Sequence, residues 1–192
     1  MKLRIMLVDA DLQRMDLLMN TLQDTGHWVI ACNDEAGSLC KHVRDIQPDV
    51  IIINTDSPIR DTLEHLCVID RDEPRPVVMF THDNDKQKMR AAIRAGVSAY
   101  VVDGMTGSRV QSIIDIAMAR FEEHRTLKNE LEKATATLAE RKKIERAKGF
   151  VMKQRDCSED EAYRLMRKMA MNGNKKLSDI ADNINIAADI FV

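Results

Sequence analysis

Aromatic residues are scarce in this chain: Phe, Tyr and Trp together make up 4% of 192 residues. A core must therefore come from aliphatic side chains and from the 12 methionines, within a hydrophobic content of 44%. No run of about 18 apolar residues occurs, so no membrane-spanning helix is expected. The acid at Asp9 follows Met1-Lys-Leu-Arg too early for a secretory leader, and a cytoplasmic protein is expected. The four cysteines, Cys32, Cys40, Cys67 and Cys157, form no Cys-x-x-Cys pair, which argues against a zinc or redox motif and for reduced thiols. His27, His42, His65, His82 and His124 show no metal-ligand spacing, and no hydrolytic or transferase constellation is visible. Residues 108–155 hold one glycine, Gly149, and no proline, so nothing there interrupts a helix. Residues 177–192 hold no Lys or Arg.

Charge is plentiful and unevenly placed. The net charge of −2 hides a split between 14 Lys/Arg against 18 Asp/Glu in residues 1–120 and 12 against 5 in residues 141–176. A basic block on an otherwise acidic chain points to a polyanionic partner, with nucleic acid first.

The first 120 residues alternate strand and helix patterns. Leu3 to Val8 reads as a buried strand ending at Asp9. A helical spacing of Met15, Leu18, Met19 and Leu22 follows, stopped by Gly26. Trp28-Val-Ile-Ala31 is a second strand, and a helix over about 35–46 leads to Pro48. Asp49-Val-Ile-Ile-Ile53 suits a central parallel strand buried on both faces. Asn54-Thr-Asp-Ser-Pro58 is a turn. Helices over 61–70 and 85–95 flank the strand Val77–Thr81, and Ala99–Val102 is the fifth strand. Five strands alternating with helices predict right-handed crossovers and a doubly wound α/β sheet, parallel and five-stranded.

A long helix should follow. Leu127, Leu131, Ala134 and Leu138 step by 4, 3 and 4, a short coiled-coil seam that a second copy of the chain would cover. Arg120, His124 and Arg141 interrupt its continuation; a stalk packed on its own domain is the alternative. Ser158-Glu-Asp-Glu161 is a capping box opening a helix with an inward stripe of Ala162, Leu165, Met166 and Met169. Asn172-Gly-Asn174 ends it, and Leu177, Ile180, Ala181 and Ile184 mark a last short helix. The layout is thus a domain over 1–120, a dimerising helix over 108–145 and an all-α three-helix cluster over 135–192.

Two candidate sites follow. In an open parallel sheet, ligands bind at the carboxyl ends of the strands. Those ends carry Asp9 and Asp11, Asn54 and Asp56, Thr81, and Asp103. On the helix entering the cluster, at about 100° per residue, Ile144, Ala147 and Val151 share one face. Lys142, Arg146, Gly149 and Lys153 share the opposite face, with Gly149 leaving room for close backbone approach. On the next helix Arg164, Arg167 and Lys168 face outward with Met171, and Tyr163 lies at the edge, placed to stack a base.

The strand-end acids resemble the receiver domain of two-component response regulators. The resemblance implies a phosphoacceptor Asp after the third strand, four residues before a Pro, together with two adjacent acids that hold Mg²⁺, a switch Ser/Thr and a Lys. Here Asp9 matches the first acid and Thr81 the switch hydroxyl. The second acid falls on Ala10, with Asp11 one place late; the acceptor position holds Asn54; the Lys position holds Asp103. An amide cannot form an acyl phosphate as a carboxylate does. The expectation is a receiver-like domain controlled by protein contact rather than phosphorylation. Asp56 is two residues late for the acceptor and reads as a turn residue. No cofactor is expected, and nothing supports residual Mg²⁺ at Asp9, Asp11 and Asp56.

Ile144-x-x-Ala147-Lys-Gly-Phe-Val-Met152, Ser158-Glu-Asp-Glu-Ala-Tyr163, Leu165-Met-Arg-Lys-Met-Ala-Met171 and Leu177-Ser-Asp-Ile-Ala181 resemble the ANTAR domain. The resemblance implies RNA binding and transcription antitermination. The site residues it implies are Lys142, Lys143, Arg146, Lys148, Gly149, Lys153, Arg155, Tyr163, Arg164, Arg167 and Lys168. The whole is similar to AmiR/NasR-type regulators. Pro74–Thr81, Arg94–Gly104 and Ala139–Gly149 look nearest to NasT-like regulators of nitrate assimilation. That implies a homodimer acting on leader-RNA hairpins, held in check by a nitrate/nitrite-sensing protein. The alternatives are a DNA-binding response regulator, an RNA-free dimeric scaffold and a phosphorelay receiver using Asp56. Asp179, Asp182 and Asp189 make the last helix a poor reader of a major groove.

Overall fold

A computed structural model describes residues 2–24, 26–32, 38–103 and 107–190. The chain divides into two compact units, Met1–Arg125 and Thr126–Val192. In the first unit, strands β1 (Arg4–Asp9), β2 (Trp28–Cys32), β3 (Val50–Asn54), β4 (Val77–Thr81) and β5 (Ala99–Val102) form a parallel sheet in the order β2-β1-β3-β4-β5. Helices α1 (Leu12–Asp24), α2 (Leu39–Ile46), α3 (Arg60–Asp72) and α4 (Lys86–Arg94) connect them. The expected second helix began near residue 35, and positions 35–37 lie outside the described residues. The other elements differ from expectation by a residue or two at their ends.

The pleat sorts the central strands between two cores, because successive side chains point to opposite faces. Ile5, Leu7, Val50, Ile52, Val78 and Phe80 pack with Met15, Leu18 and Leu22 of α1. Met6, Val8, Ile51, Ile53, Val77 and Met79 pack on the other face with Leu39, Val43, Leu66, Ile69 and Ala92. Burial on both faces explains why these strands read as unbroken apolar runs. Helix α5 (Gly107–Arg155) is 49 residues long. Its start covers the first of these cores through Val110, Ile114 and Ala117.

The second unit holds the end of α5 with α6 (Glu159–Asn172) and α7 (Leu177–Ile190). Ala147, Ala162, Met166 and Ala181 are fully buried there, and Ile144, Val151, Leu177 and Ile184 pack around Ala147, Met166 and Ala181. The capping box is present: the Ser158 hydroxyl accepts from the Glu161 N–H, and the Glu161 carboxylate accepts from the Ser158 N–H. Asp156 and Asn174 take positive φ, 48° and 47°, in the turns before and after α6. Two expectations need correction. Helix α7 is as long as α6, at 14 residues. The inward stripe of α6 is Ala162, Met166 and Ala170, a spacing of four. Leu165 and Met169, expected inside, are 42% and 52% exposed.

Candidate receiver pocket and nucleic-acid interface

The strand order places β1 beside β3, and Asp9 pairs in register with Asn54. This is where the sheet reverses its winding, the point at which doubly wound folds bind ligands. The Asp9 side chain is fully buried. It accepts hydrogen bonds from Asn54 Nδ2 at 2.6 Å, from the Asp11 N–H at 2.9 Å and from Arg14 Nη2 at 3.0 Å. Burying a carboxylate is costly unless it is paired and hydrogen-bonded, and these three donors meet that demand.

Arg14 is the residue that sequence reasoning missed. Its Nη1 also donates to Asp56 Oδ1 at 2.6 Å, and its Nε lies 4.0 Å from Asp11. A guanidinium therefore sits among the three acids that would have to ligate any cation here. Its bonds to Asp9 and then Asp56 raise the Arg14 pKa further. Asp56 is correspondingly held below the usual carboxylate range by Arg14. Asp56, read as a turn residue, is thus an ion-pair partner 42 positions from Arg14. These residues do not fit Mg²⁺, because the positive charge the acids demand is already supplied. Among the described residues no group of three or more His, Cys, Asp or Glu is placed to hold a metal ion.

The remaining positions are also committed. Thr81 is buried; its hydroxyl donates to the Asp56 carbonyl at 2.9 Å and accepts from the Asp83 N–H at 3.1 Å. Asp103 stands in the left-handed region at φ 47° and meets His82 Nδ1 at 2.5 Å. The one lysine in this neighbourhood with a described partner, Lys88, donates to Asp83 Oδ2 at 2.6 Å and to Ser57 at 2.9 Å. That lysine, and then the Ser57 hydroxyl, lower the Asp83 pKa to about 2.

In the second unit the expected basic face is divided. Ala147 is buried and Ile144 and Val151 are partly buried, as their shared face predicted. Lys143 Nζ meets Asp182 Oδ2 at 3.0 Å, and Arg146 is bonded to Asp189. Lys148 is 8% exposed and bridges Glu145 at 2.6 Å and Glu159 at 2.8 Å. Those two carboxylates raise its pKa. Lys148 was expected to contact RNA; here it clamps α5 to the start of α6. Lys142, Lys153, Arg155, Arg164, Arg167 and Lys168 make no ion pair among the described residues. Tyr163 is 42% exposed, and a Cβ at Gly149 would meet nothing within 4 Å. Leu127, Leu131, Ala134 and Leu138 all lie exposed along α5.

A parallel 2-1-3-4-5 sheet with acids at the ends of β1 and β3 defines a receiver-type regulatory domain. The response regulator receiver domain model matches residues 5–115 and the ANTAR domain model matches residues 132–184. The chain belongs to the response-regulator receiver family, and it carries an ANTAR domain at its C-terminal end. It is 26% identical over 174 residues to the transcriptional regulatory protein PdtaR of Mycobacterium tuberculosis, covering 91% of this chain and 84% of that one. Among solved structures it is similar to NtrX from Brucella abortus, with TM-score 0.55 and 25% identity over 71% of this chain and 30% of that chain. It is also similar to the chemotaxis response regulator CheY4 of Vibrio cholerae, with TM-score 0.53 and 19% identity over 61% and 99%, which shows the fold alone. It is thus a response-regulator chain that joins a receiver domain to an ANTAR domain. No described helix is long and apolar enough to cross a membrane.

Proposed function

We propose that this protein is an RNA-binding transcription antitermination regulator acting on leader-RNA hairpins. The observation that carries this reading is the set of cations on α5 and α6 that make no ion pair among the described residues, inside the segment that matches the ANTAR domain. A DNA-reading α7 is disfavoured, since Asp182 and Asp189 face Lys143 and Arg146 and the helix has no cation of its own. A second copy covering the exposed Leu127, Leu131, Ala134 and Leu138 would present two RNA-binding units at once and raise avidity without new contacts. The similarity of Pro74–Thr81, Arg94–Gly104 and Ala139–Gly149 to NasT-like regulators supports nitrate or nitrite assimilation genes as targets. It also supports a nitrate/nitrite-sensing protein as the control.

The direct test is binding to hairpin-loop RNA against duplex DNA of equal charge across a salt series. Loop RNA is expected to bind more tightly at every salt concentration, with log K falling by about 0.7 per phosphate contact for single-stranded RNA. Equal binding to both would leave only a general polyanion surface.

Control by protein contact rests on Asn54 at the acceptor position and on Arg14 among the acids. Incubation with acetyl phosphate is expected to leave the protein unmodified. Stoichiometric acid-labile phosphate on Asp56 would make it a phosphorelay receiver instead.

A further inference from the structure

Resting on the RNA-binding reading, we infer that the α5–α6 elbow holds a nucleotide subsite: an apolar recess for one unpaired loop base, beside a cationic groove for its phosphate. The recess has room for about 220 Å³ and is walled by Phe150, Val151, Met166, Met169 and Ile184, with Gln154 and Arg155 at its rim. It is smaller than the roughly 300–1,000 Å³ of a drug-sized ligand site, which favours one flat ring over a whole small molecule. Immediately beside it, Arg155, Arg164 and Lys168 line a second groove with Cys157 and Glu161. Arg155 and Leu165 line both, so the two are neighbours sharing a wall.

The occupant follows from charge and shape together. Leu165 and Met169 are large apolar side chains held half in solvent, although the helix has a complete buried stripe without them. Phe150 in the same wall supplies an aromatic face, on which stacking is sequence-tolerant and worth about 1–3 kcal/mol per base. Arg155, Arg164 and Lys168 are free of ion pairs among the described residues, whereas Lys143, Arg146 and Lys148 are engaged. The one acid in the groove, Glu161, is committed to the Ser158 cap, which lowers its pKa. The groove therefore keeps a net positive charge next to an apolar slot, the pairing a nucleotide presents. The Gln154 amide at the rim can donate to or accept from a base edge.

The test uses the full chain and a pool of hairpins with one fixed stem and a randomised loop, selected against the fully paired stem. In the best hairpin, each loop nucleotide is replaced in turn by an abasic residue. One position is expected to lose about 10- to 100-fold in affinity, and 2-aminopurine there should change its emission on binding. Met169→Gln should weaken the intact hairpin by a similar factor and leave the affinity of the abasic hairpin unchanged. Helicity and unfolding midpoint should match the parent, because Met169 is half exposed. Tolerance of every abasic replacement, or equal weakening of both hairpins by Met169→Gln, would overturn the subsite while leaving RNA binding in place. A shift in the monomer–dimer equilibrium with Met169→Gln, with RNA affinity unchanged, would assign the recess to a second copy. If no hairpin is enriched over the paired stem, the RNA-binding reading fails first and the subsite falls with it.

Discussion

Arg14→Ala is expected to turn the receiver pocket into a divalent-cation site. In the parent, the guanidinium donates to Asp9 at 3.0 Å and Asp56 at 2.6 Å. Removing one partner of a fully buried ion pair costs about 3–5 kcal/mol. The Arg14 side chain is 32% exposed, so water can reach the vacated space and the loss should be nearer 1–3 kcal/mol. What remains is Asp9, Asp11 and Asp56 with the Asn54 amide and backbone N–H groups as donors but no side-chain cation among them. Three carboxylates in such a space are a hard-oxygen site suited to Mg²⁺. A cation that binds only the folded state then stabilises it, by about 2.7 kcal/mol at a hundredfold excess over its dissociation constant. Thermal unfolding with MgCl₂ and with EDTA checks this. The parent should show no difference; the variant should unfold earlier in EDTA and recover in MgCl₂. An Arg14→Ala protein indifferent to Mg²⁺ would show that the acids are held apart by more than the arginine.

The double substitution Asp182→Asn with Asp189→Asn is expected to tighten RNA binding. Each acid neutralises one cation of α5, Asp182 at Lys143 and Asp189 at Arg146. These pairs are half exposed, so each stabilises the fold by only about 0–1 kcal/mol and an RNA phosphate can compete for the cation. Releasing both should improve affinity by about tenfold at low salt and steepen the salt slope by about 1.4, or about 0.7 for each freed cation. Binding titrations at several salt concentrations give both quantities. An unchanged slope would place Lys143 and Arg146 outside the RNA contact and confine recognition to Lys142, Lys153, Arg155 and the cations of α6. Charge reversal at Arg146 alone is the less informative variant, because a glutamate there would also face Asp189.

The difference between these two sites reflects what a sequence displays. The sheet was legible because Val50 to Ile53 and Val77 to Met79 are buried on both faces and read as continuous apolar runs. The degenerate pocket was legible because Asn54 and Asp103 stand at fixed distances from Pro58 and Tyr100. Arg14 was not, because its partners are set by the β1–β3 register, which brings Asp56 to it across 42 positions. The signal was present, however: a cation five residues after Asp9, on the first turn of the helix that leaves β1. Lys148 was misread for a similar reason. Its position on the basic block suggested solvent, yet Glu145, three residues earlier, is the neighbour that a helix brings alongside. Leu165 and Met169 were placed inside because they sit beside Met166 on the helical wheel. The stripe of Ala162, Met166 and Ala170 already fills the inner face of α6, and Leu165 and Met169 lie on its flanks, half in solvent.

The bond from Asn54 to Asp9 also bears on what an acceptor carboxylate in this pocket would meet. Asn54→Asp would restore an acceptor carboxylate by exchanging one atom group, yet it would set that carboxylate against the buried Asp9, now 2.6 Å from the amide nitrogen. Two like charges at that separation cannot both ionise freely, so one would hold a proton or displace Arg14 from Asp56. Asp103 would still present an acid where a phosphoryl group needs a cation. An acceptor carboxylate at position 54 would therefore call for changes at Arg14 and Asp103 as well. The pocket is an interlocked set: Asp9 is held by Asn54 and Arg14 together, so changing one partner alone leaves the other in place.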